Sequence, residues 1–193
     1  YEEKDETPFR FGSFTTMGEL YVETGLNELR MSNYRRILSL DSAMVVVQFD
    51  KDGVQYQRKY FISYPDSVMV MKFTANQSGK QNLILSYCPN SEAKSNLRAD
   101  GKDGLVYTGV LDNNGMKFAF RIKAIHKGGT LEAENDRLIV KGADEVVLLL
   151  TADTDYKMNF NPDFKDPKTY VGNDPEQTTR IMMDQAVQKG YDE

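Results

Sequence analysis

The sequence predicts an all-β fold: an antiparallel β-sandwich with one C-terminal linker helix. Three observations carry this expectation. The dominant hydrophobic period is two, the period of a strand with one buried face. Turn signals recur about every eight to twelve residues, the spacing of sandwiches and barrels. A helical period occurs once, near the end of the chain and behind a complete N-cap signal.

Gly18–Val22 is the first short candidate strand and Ile37–Leu40 the second. Ala43–Phe49 is almost wholly apolar, which predicts a strand in the middle of a sheet and covered on both faces. Asp50-Lys51-Asp52-Gly53 follows as a hairpin turn, with Gly53 free to take positive φ. Val54–Phe61 then alternates. Val54, Tyr56 and Tyr60 share one face, interrupted by Arg58, and Gln55, Gln57 and Lys59 share the other. Pro65-Asp66 supplies the next turn, since proline fixes φ and aspartate bonds its own backbone. Val68–Thr74 returns, with Val68, Val70 and Lys72 opposite Met69, Met71 and Phe73.

Gly79-Lys80 turns into a strand over Asn82–Tyr87. Pro89–Asp103 is polar and rich in Ser, Asn and Lys, and reads as the longest loop. Leu105–Leu111 and Met116–Ile122 flank Asp112-Asn113-Asn114-Gly115, whose Asn-Gly pair is the strongest short-range hairpin signal. Gly128-Gly129 ends the next strand, and Thr130–Glu134, Arg137–Val140 and Val146–Thr151 complete the β region. Met158–Asn173 holds Pro162 and Pro167 and reads as an extended connector. Asp174 is then the N-cap of a helix, Pro175 its first residue, and Gln177 the partner in a capping box. Met183, Val187 and Tyr191, widened by Met182 and Ala186, make an apolar stripe that needs a surface to cover. The division expected is a sandwich over 1–157 and a connector with the start of a linker helix over 158–193.

Composition narrows the function classes. The 193 residues are 40% hydrophobic and 27% charged, which fits a globular chain. No apolar run nears the roughly eighteen residues of a membrane-spanning helix, so no membrane partner is expected. A formal net charge of −5 disfavours nucleic acid, which needs clustered Lys and Arg. Arg35 and Arg36 point to opposite faces of a strand and read as solvated. The chain opens at Tyr1 with an acidic run and no Met, which reads as a mature or trimmed product and leaves the compartment open. The single cysteine, Cys88, makes no internal disulfide and no thiolate cluster, and is expected to be packed just behind a strand.

No residue is assigned a catalytic, cofactor-binding or metal-binding role. His126 is the only histidine, lacks ligands at metal spacing, and reads as structural or solvated. A Ser-His-Asp or Cys-His arrangement would need that residue, and no Gly-x-Ser-x-Gly elbow supports one. The carboxylate pairs Glu2 and Glu3, Asp153 and Asp155, and Asp163 and Asp166 fall in expected loops or termini, where solvation is the default. Paired-carboxylate glycoside hydrolysis requires a buried, proton-holding acid opposite a second carboxylate, and adjacency in sequence supplies neither. Asp112-Asn113-Asn114 and Asp50-Lys51-Asp52 lack the glycine and glutamate of a calcium loop. Gly128-Gly129 and Gly101–Gly104 precede no capped helix and make no phosphate cradle. Eleven Tyr and ten Phe with no Trp leave a carbohydrate-binding module open, because sheet-surface tyrosines stack on sugar rings. Tyr56 and Tyr60 fit a cross-strand packing role equally well.

Particular wording adds a resemblance. Tyr34-Arg35-Arg36-Ile37-Leu38-Ser39-Leu40-Asp41-Ser42-Ala43, Gly53-Val54-Gln55-Tyr56 and Arg58 to Val68 resemble phrases of glycoside hydrolase family 95, the α-L-fucosidases. Met17-Gly18-Glu19-Leu20 is similar to the phrase that precedes them. Gly142-Ala143-Asp144 and Ala152-Asp153-Thr154-Asp155-Tyr156 are similar to phrases that follow. Ser39 and Lys59 depart from the family, which usually has Asp and Glu there. The resemblance implies the N-terminal β-sandwich domain of such an enzyme, without the family's first strands and with its linker starting near Tyr191. The partner it implies is an (α/α)6 barrel that carries the catalytic residues and is absent from this chain, so no catalytic residue transfers to any position here. It also points toward a secreted or periplasmic setting. A carbohydrate-binding module and an interaction domain whose helix docks a partner are the alternatives left open.

Overall fold

The computed structural model describes residues 16–191 except 28, 90–92, 113, 135, 164 and 167. Twelve strands and one helix are present among them. In chain order the strands are Gly18–Glu23 (β1), Met31–Ser39 (β2), Met44–Lys51 (β3), Val54–Ser63 (β4), Val68–Ala75 (β5) and Gln81–Pro89 (β6). Ala93–Ala99 (β7), Gly104–Leu111 (β8), Lys117–Lys127 (β9), Thr130–Glu134 (β10), Arg137–Ala143 (β11) and Glu145–Thr154 (β12) follow, and the helix is Pro175–Lys189 (α1). Two antiparallel sheets form a sandwich, as the strand period predicts. The larger runs β2-β3-β4-β5-β12-β9-β8-β7 and the smaller β1-β6-β11-β10.

Strand alternation builds the core. Leu83, Leu85, Leu138 and Val140 of the small sheet face Phe73, Val146, Leu148, Phe120 and Ile122 of the large one. Tyr87 fills the space between the layers, with ring centroids 4.7 Å from Tyr107 and 4.9 Å from Phe120. Residues of opposite parity on β5 and β12 point the other way. Val68, Val70, Val147 and Leu149 form a second cluster with Met183 and Ala186 of α1. The helix stripe therefore packs back on the outer face of the large sheet, which answers what it covers.

That arrangement corrects the reading of Ala43–Phe49. β3 is second from the edge, and Val45, Val46 and Val47 are only half-buried. The strands covered on both faces are β5 and β12; the apolar run of β12 has the core on one side and α1 on the other. An apolar run alone marks a buried environment and says nothing of which strand occupies the centre.

The polar stretch Pro89–Asp103 is not one long loop. Ala93–Ala99 is the edge strand β7, paired along its length with β8. Most of its side chains are exposed, so its sequence carries no apolar signal; its partner's backbone supplies the order. Cys88 is exposed rather than packed, because alternation along β6 puts Leu85 and Tyr87 inside and Cys88 outside. Asp153 and Asp155 are not a solvated loop pair either. Asp153 belongs to β12, and Asp155 is buried, its carboxylate accepting the Lys117 N–H at 2.9 Å. The second strand begins at Met31, earlier than its apolar residues show.

Several turns match their expected chemistry. Asp52 and Gly53 both have positive φ (49° and 77°), the mirror-image turn that suits a right-twisted hairpin. Gly128 and Gly129 (67° and 65°) carry the chain from the large sheet into the small one. The 111–116 hairpin closes with Leu111 N–H to Met116 O and Gly115 N–H to Leu111 O, Asn113 lying outside the described residues. Asp174 caps α1 by accepting the Glu176 N–H, and Pro175 follows at the first helical position.

The small sheet is half as wide as the large one, so β2, β3 and β4 project as a flange. Near the β3–β4 turn its inner face is covered. Leu26 and Met31 pack there on Phe49, Val54 and Tyr56. Arg58 lies over the rings of Phe49 and Phe73, at 5.1 and 5.9 Å, and reaches the Thr24 hydroxyl. Its interruption of an apolar face is thus a cation–π contact.

Two glycine substitutions separate backbone strain from steric collision. Gly53→Ala meets open space and should cost about 1–2 kcal/mol of unfolding free energy through its positive φ alone. At Gly129 a Cβ would also collide with the Lys141 carbonyl and the Ala143 amide. Urea denaturation should therefore show a clearly larger loss for Gly129→Ala, and equal losses would contradict the packing described.

Candidate functional site

The residues that carried the family wording are engaged in the fold. Ser63 Oγ donates to the Asp66 carboxylate, which also receives Lys189 Nζ of α1 at 3.0 Å. The phrase from Ser63 to Val68 therefore clasps the helix end to the β4–β5 turn. Tyr191, two residues on, has Lys72 Nζ over its ring at 4.0 Å and lies against Phe61, with ring centroids 6.0 Å apart. Asp144 Oδ1 accepts the Gly79 N–H at 2.7 Å, joining the β11–β12 corner to the entry of β6. Asp155 ties the end of β12 to Lys117 and, through its carbonyl, to Gly172. Tyr56 stacks on Phe49.

The first half of α1 rests on a polar bed. Arg98, Val106, Arg121 and Thr151 are neighbours across β7, β8, β9 and β12 on the outer face. Arg98 pairs with Glu176 and Arg121 with Asp100. Arg121 is 1% exposed, and its Nε and Nη2 have no hydrogen-bond partner among the described residues. Thr151 Oγ1 donates to the Thr179 carbonyl at 3.1 Å, fastening helix to strand.

Beside this bed lies a groove of about 430 Å³. Asn96, Thr108 and Val110 form its floor, Lys94 and Lys117 one end, and Asp174 to Glu176 the wall. It has the size of a small-ligand site and several side chains able to hydrogen-bond. The aromatic residue in its lining, Phe118, is 3% exposed and presents no platform. The connector carries a stacked pair, Tyr156 and Tyr170, with centroids 5.8 Å apart.

The candidate groups of the sequence are not brought together. His126 Nδ1 is 2.7 Å from the Gly128 carbonyl, a local contact at the end of β9. Cys88 sits near the end of β6, an inner strand of the small sheet, opposite Glu19 of the edge strand β1. Asp163 and Asp166 are exposed in the connector, and Glu2 and Glu3 lie outside the described residues. Among the described residues no group of three His, Cys, Asp or Glu is placed to hold a metal ion, and no helix is long and apolar enough to cross a membrane. The groove and the Arg121 bed were missed because their members are dispersed over four strands and a helix, with no local spacing to signal them.

The charged groups that do shift are held in their ionised form. Hydrogen bonds from Ser63 and Lys189 hold the Asp66 carboxyl below its ordinary value, outweighing a small opposing effect of burial. Burial pushes the Glu145 carboxyl up, but Lys72 at 2.9 Å and Lys127 at 3.2 Å together outweigh it and leave it lowered. A carboxyl with a depressed folded value binds fewer protons folded than unfolded. Its contribution is therefore full above the ordinary carboxylate range and lost as pH falls through the depressed value. Thermal melts should show stability declining below that range, and Glu145→Gln should flatten the decline. An unchanged slope would remove Glu145 from the account.

The buried arginine gives a second test. Asp100→Ala leaves the Arg121 charge buried and unpaired, and should cost about 1–3 kcal/mol, less than a fully buried pair because Asp100 is partly solvated. Arg121→Met removes the charge and should cost less. The reverse order in chemical denaturation would show that the guanidinium has another partner.

Comparison with known proteins follows the architecture. The family described as "Glycosyl hydrolase family 65, N-terminal domain" matches residues 2–159. A probable alpha-fucosidase A of Aspergillus niger is 27% identical over 96% of this chain and 24% of its own length. Alpha-L-fucosidase 2 of Arabidopsis thaliana is 23% identical over 74% of this chain and 20% of its own. The chain thus spans about a quarter or less of the curated relatives it matches. A putative kojibiose phosphorylase from the human microbiome shares the fold, with a TM-score of 0.57 at 10% identity over 89% of this chain and 25% of that one. The phrases resembled family 95, whereas the matching family's description carries the number 65; the fucosidase relatives agree with the phrases.

Proposed function

Because this chain belongs to the family of glycosyl hydrolase family 65 N-terminal domains, we propose that it acts as the non-catalytic N-terminal domain of a longer, α-L-fucosidase-like glycoside hydrolase. Its partner in this reading is a catalytic barrel of the (α/α)6 type. One observation carries the proposal: the residues of the family wording are spent on turns, clasps and packing. Ser63, Asp66, Asp144 and Asp155 each hold one element to another.

The electrostatics support the same reading. A general acid for glycoside hydrolysis must keep its proton at working pH, which requires a raised value. Asp66 and Glu145 are shifted the opposite way, by cationic partners. They suit ion pairs that fix a helix and a sheet. In this reading residues 1–157 are the sandwich and 158–193 a connector, whose helix is fastened back on the large sheet and sets the direction in which the chain leaves.

An assay of this chain on an aryl α-L-fucoside should give no turnover above background. Saturable turnover lost on changing a single carboxylate would overturn the proposal.

A second reading, carbohydrate binding, rests on the outer groove with its unobstructed Asn96 and Thr108 side chains. Calorimetry against fucosylated oligosaccharides decides it. Saturable binding weakened by Asn96→Ala and Thr108→Val would establish a binding module, and flat titrations would dismiss it.

A further inference from the structure

Where the chain leaves β1, a cavity of about 10 Å³ lies between the two sheets, with room for a single small occupant. Strand parity says which side chains face it. Tyr56 and Arg58 of β4 are on the inner face, and Gln81 of β6 is on the same side as the core residues Leu83 and Leu85. Thr24 and Leu26, just past the end of β1, complete that lining. Gln57 and Thr74 alternate with the inner residues, and Lys80 and Asn82 with Gln81, so their side chains turn to the outer faces.

Two of the inward groups are uncompensated. Gln81 is 5% exposed, and its Nε2 has no hydrogen-bond partner among the described residues, which leaves a buried donor unused. Arg58 is half-buried over Phe49 and Phe73 and donates to the Thr24 hydroxyl at 3.3 Å, but it has no carboxylate partner among the described residues. The carboxylates around it are engaged elsewhere. Asp52 pairs with Lys51, Asp50 accepts from Asn33, Asp144 accepts the Gly79 N–H, and Glu145 pairs with Lys72 and Lys127. Glu23, beside Thr24, has the opposite parity and is exposed.

We propose that this cavity is a binding site for a monatomic anion of the size of chloride. Gln81 Nε2 and the Arg58 guanidinium donate to it. The Thr24 hydroxyl accepts from Arg58 and so keeps its own proton to donate as well. A water would serve the amide but leave the guanidinium charge uncompensated, whereas an anion accepts from all three donors and neutralises it. The bound ion fastens β4 of the large sheet to β6 of the small one and to the chain leaving β1.

Thermal melts of this chain test the proposal. Sodium chloride or bromide should raise the midpoint saturably over sodium gluconate at equal ionic strength, since the ion binds the folded state. Gln81→Leu removes one donor to a charged ligand and should raise the halide concentration needed at least about tenfold. Gln81→Glu sets a carboxylate beside Arg58 and should abolish the halide response in a chain that still melts cooperatively. Crystals soaked in sodium bromide should show an anomalous peak between Gln81 Nε2 and the Arg58 guanidinium. Equal responses to halide and gluconate, or a soak with no bromide peak there, would overturn the proposal. So would a halide response that appears only in Glu28→Gln, since that carboxylate would then be the partner of Arg58.

Discussion

The double burial of β12 is the constraint on which the rest of the structure depends. Val146 and Leu148 face the core while Val147 and Leu149 face α1, so this strand, like its neighbour β5, belongs to two apolar clusters. Its neighbours β5 and β9 must then align on both sides, which fixes the register of the large sheet. The helix has to return to this strand to cover its outer face. Every clasp at the helix end, from Asp66 to Tyr191, serves that return.

The two halves of the helix contact differ in kind. The C-terminal half is apolar and covers Val68, Val70, Val147 and Leu149. The N-terminal half lies by the buried Arg121 and the Arg98–Glu176 pair. Apolar contact is tolerant of small slides, whereas a paired arginine and a strand hydroxyl bonded to a helix carbonyl accept few positions. The polar half supplies the angle of the helix and the apolar half most of the hold.

Unequal sheet widths leave a flange, and with it an asymmetry between the two ends of the inner face. Near the β3–β4 turn, Leu26 and Met31 complete the layer. At the opposite end Leu38 and Ile62 face outward from the same sheet side. A closed sandwich would have no such surface.

The sequence by itself determined the β character, most hairpins and the capped helix. Those depend on neighbours within a few residues: Asp52-Gly53 suits only a mirror-image turn, and Asp174-Pro175 suits only a helix start. It also carried the family, because Ser63 to Val68 is a continuous phrase. It misplaced the central strand and hid β7, since burial of Ala43–Phe49 and pairing of Ala93–Ala99 are set by distant partners. Cys88 and Asp155 were misread for the same reason: whether a side chain is inside depends on the parity of its strand against another sheet. Only the tertiary structure decided that the helix stripe faces β12 and that Arg121 lies buried beneath the helix. It alone decided that the groove and the flange exist, for their residues become neighbours only when strands far apart in sequence are laid side by side.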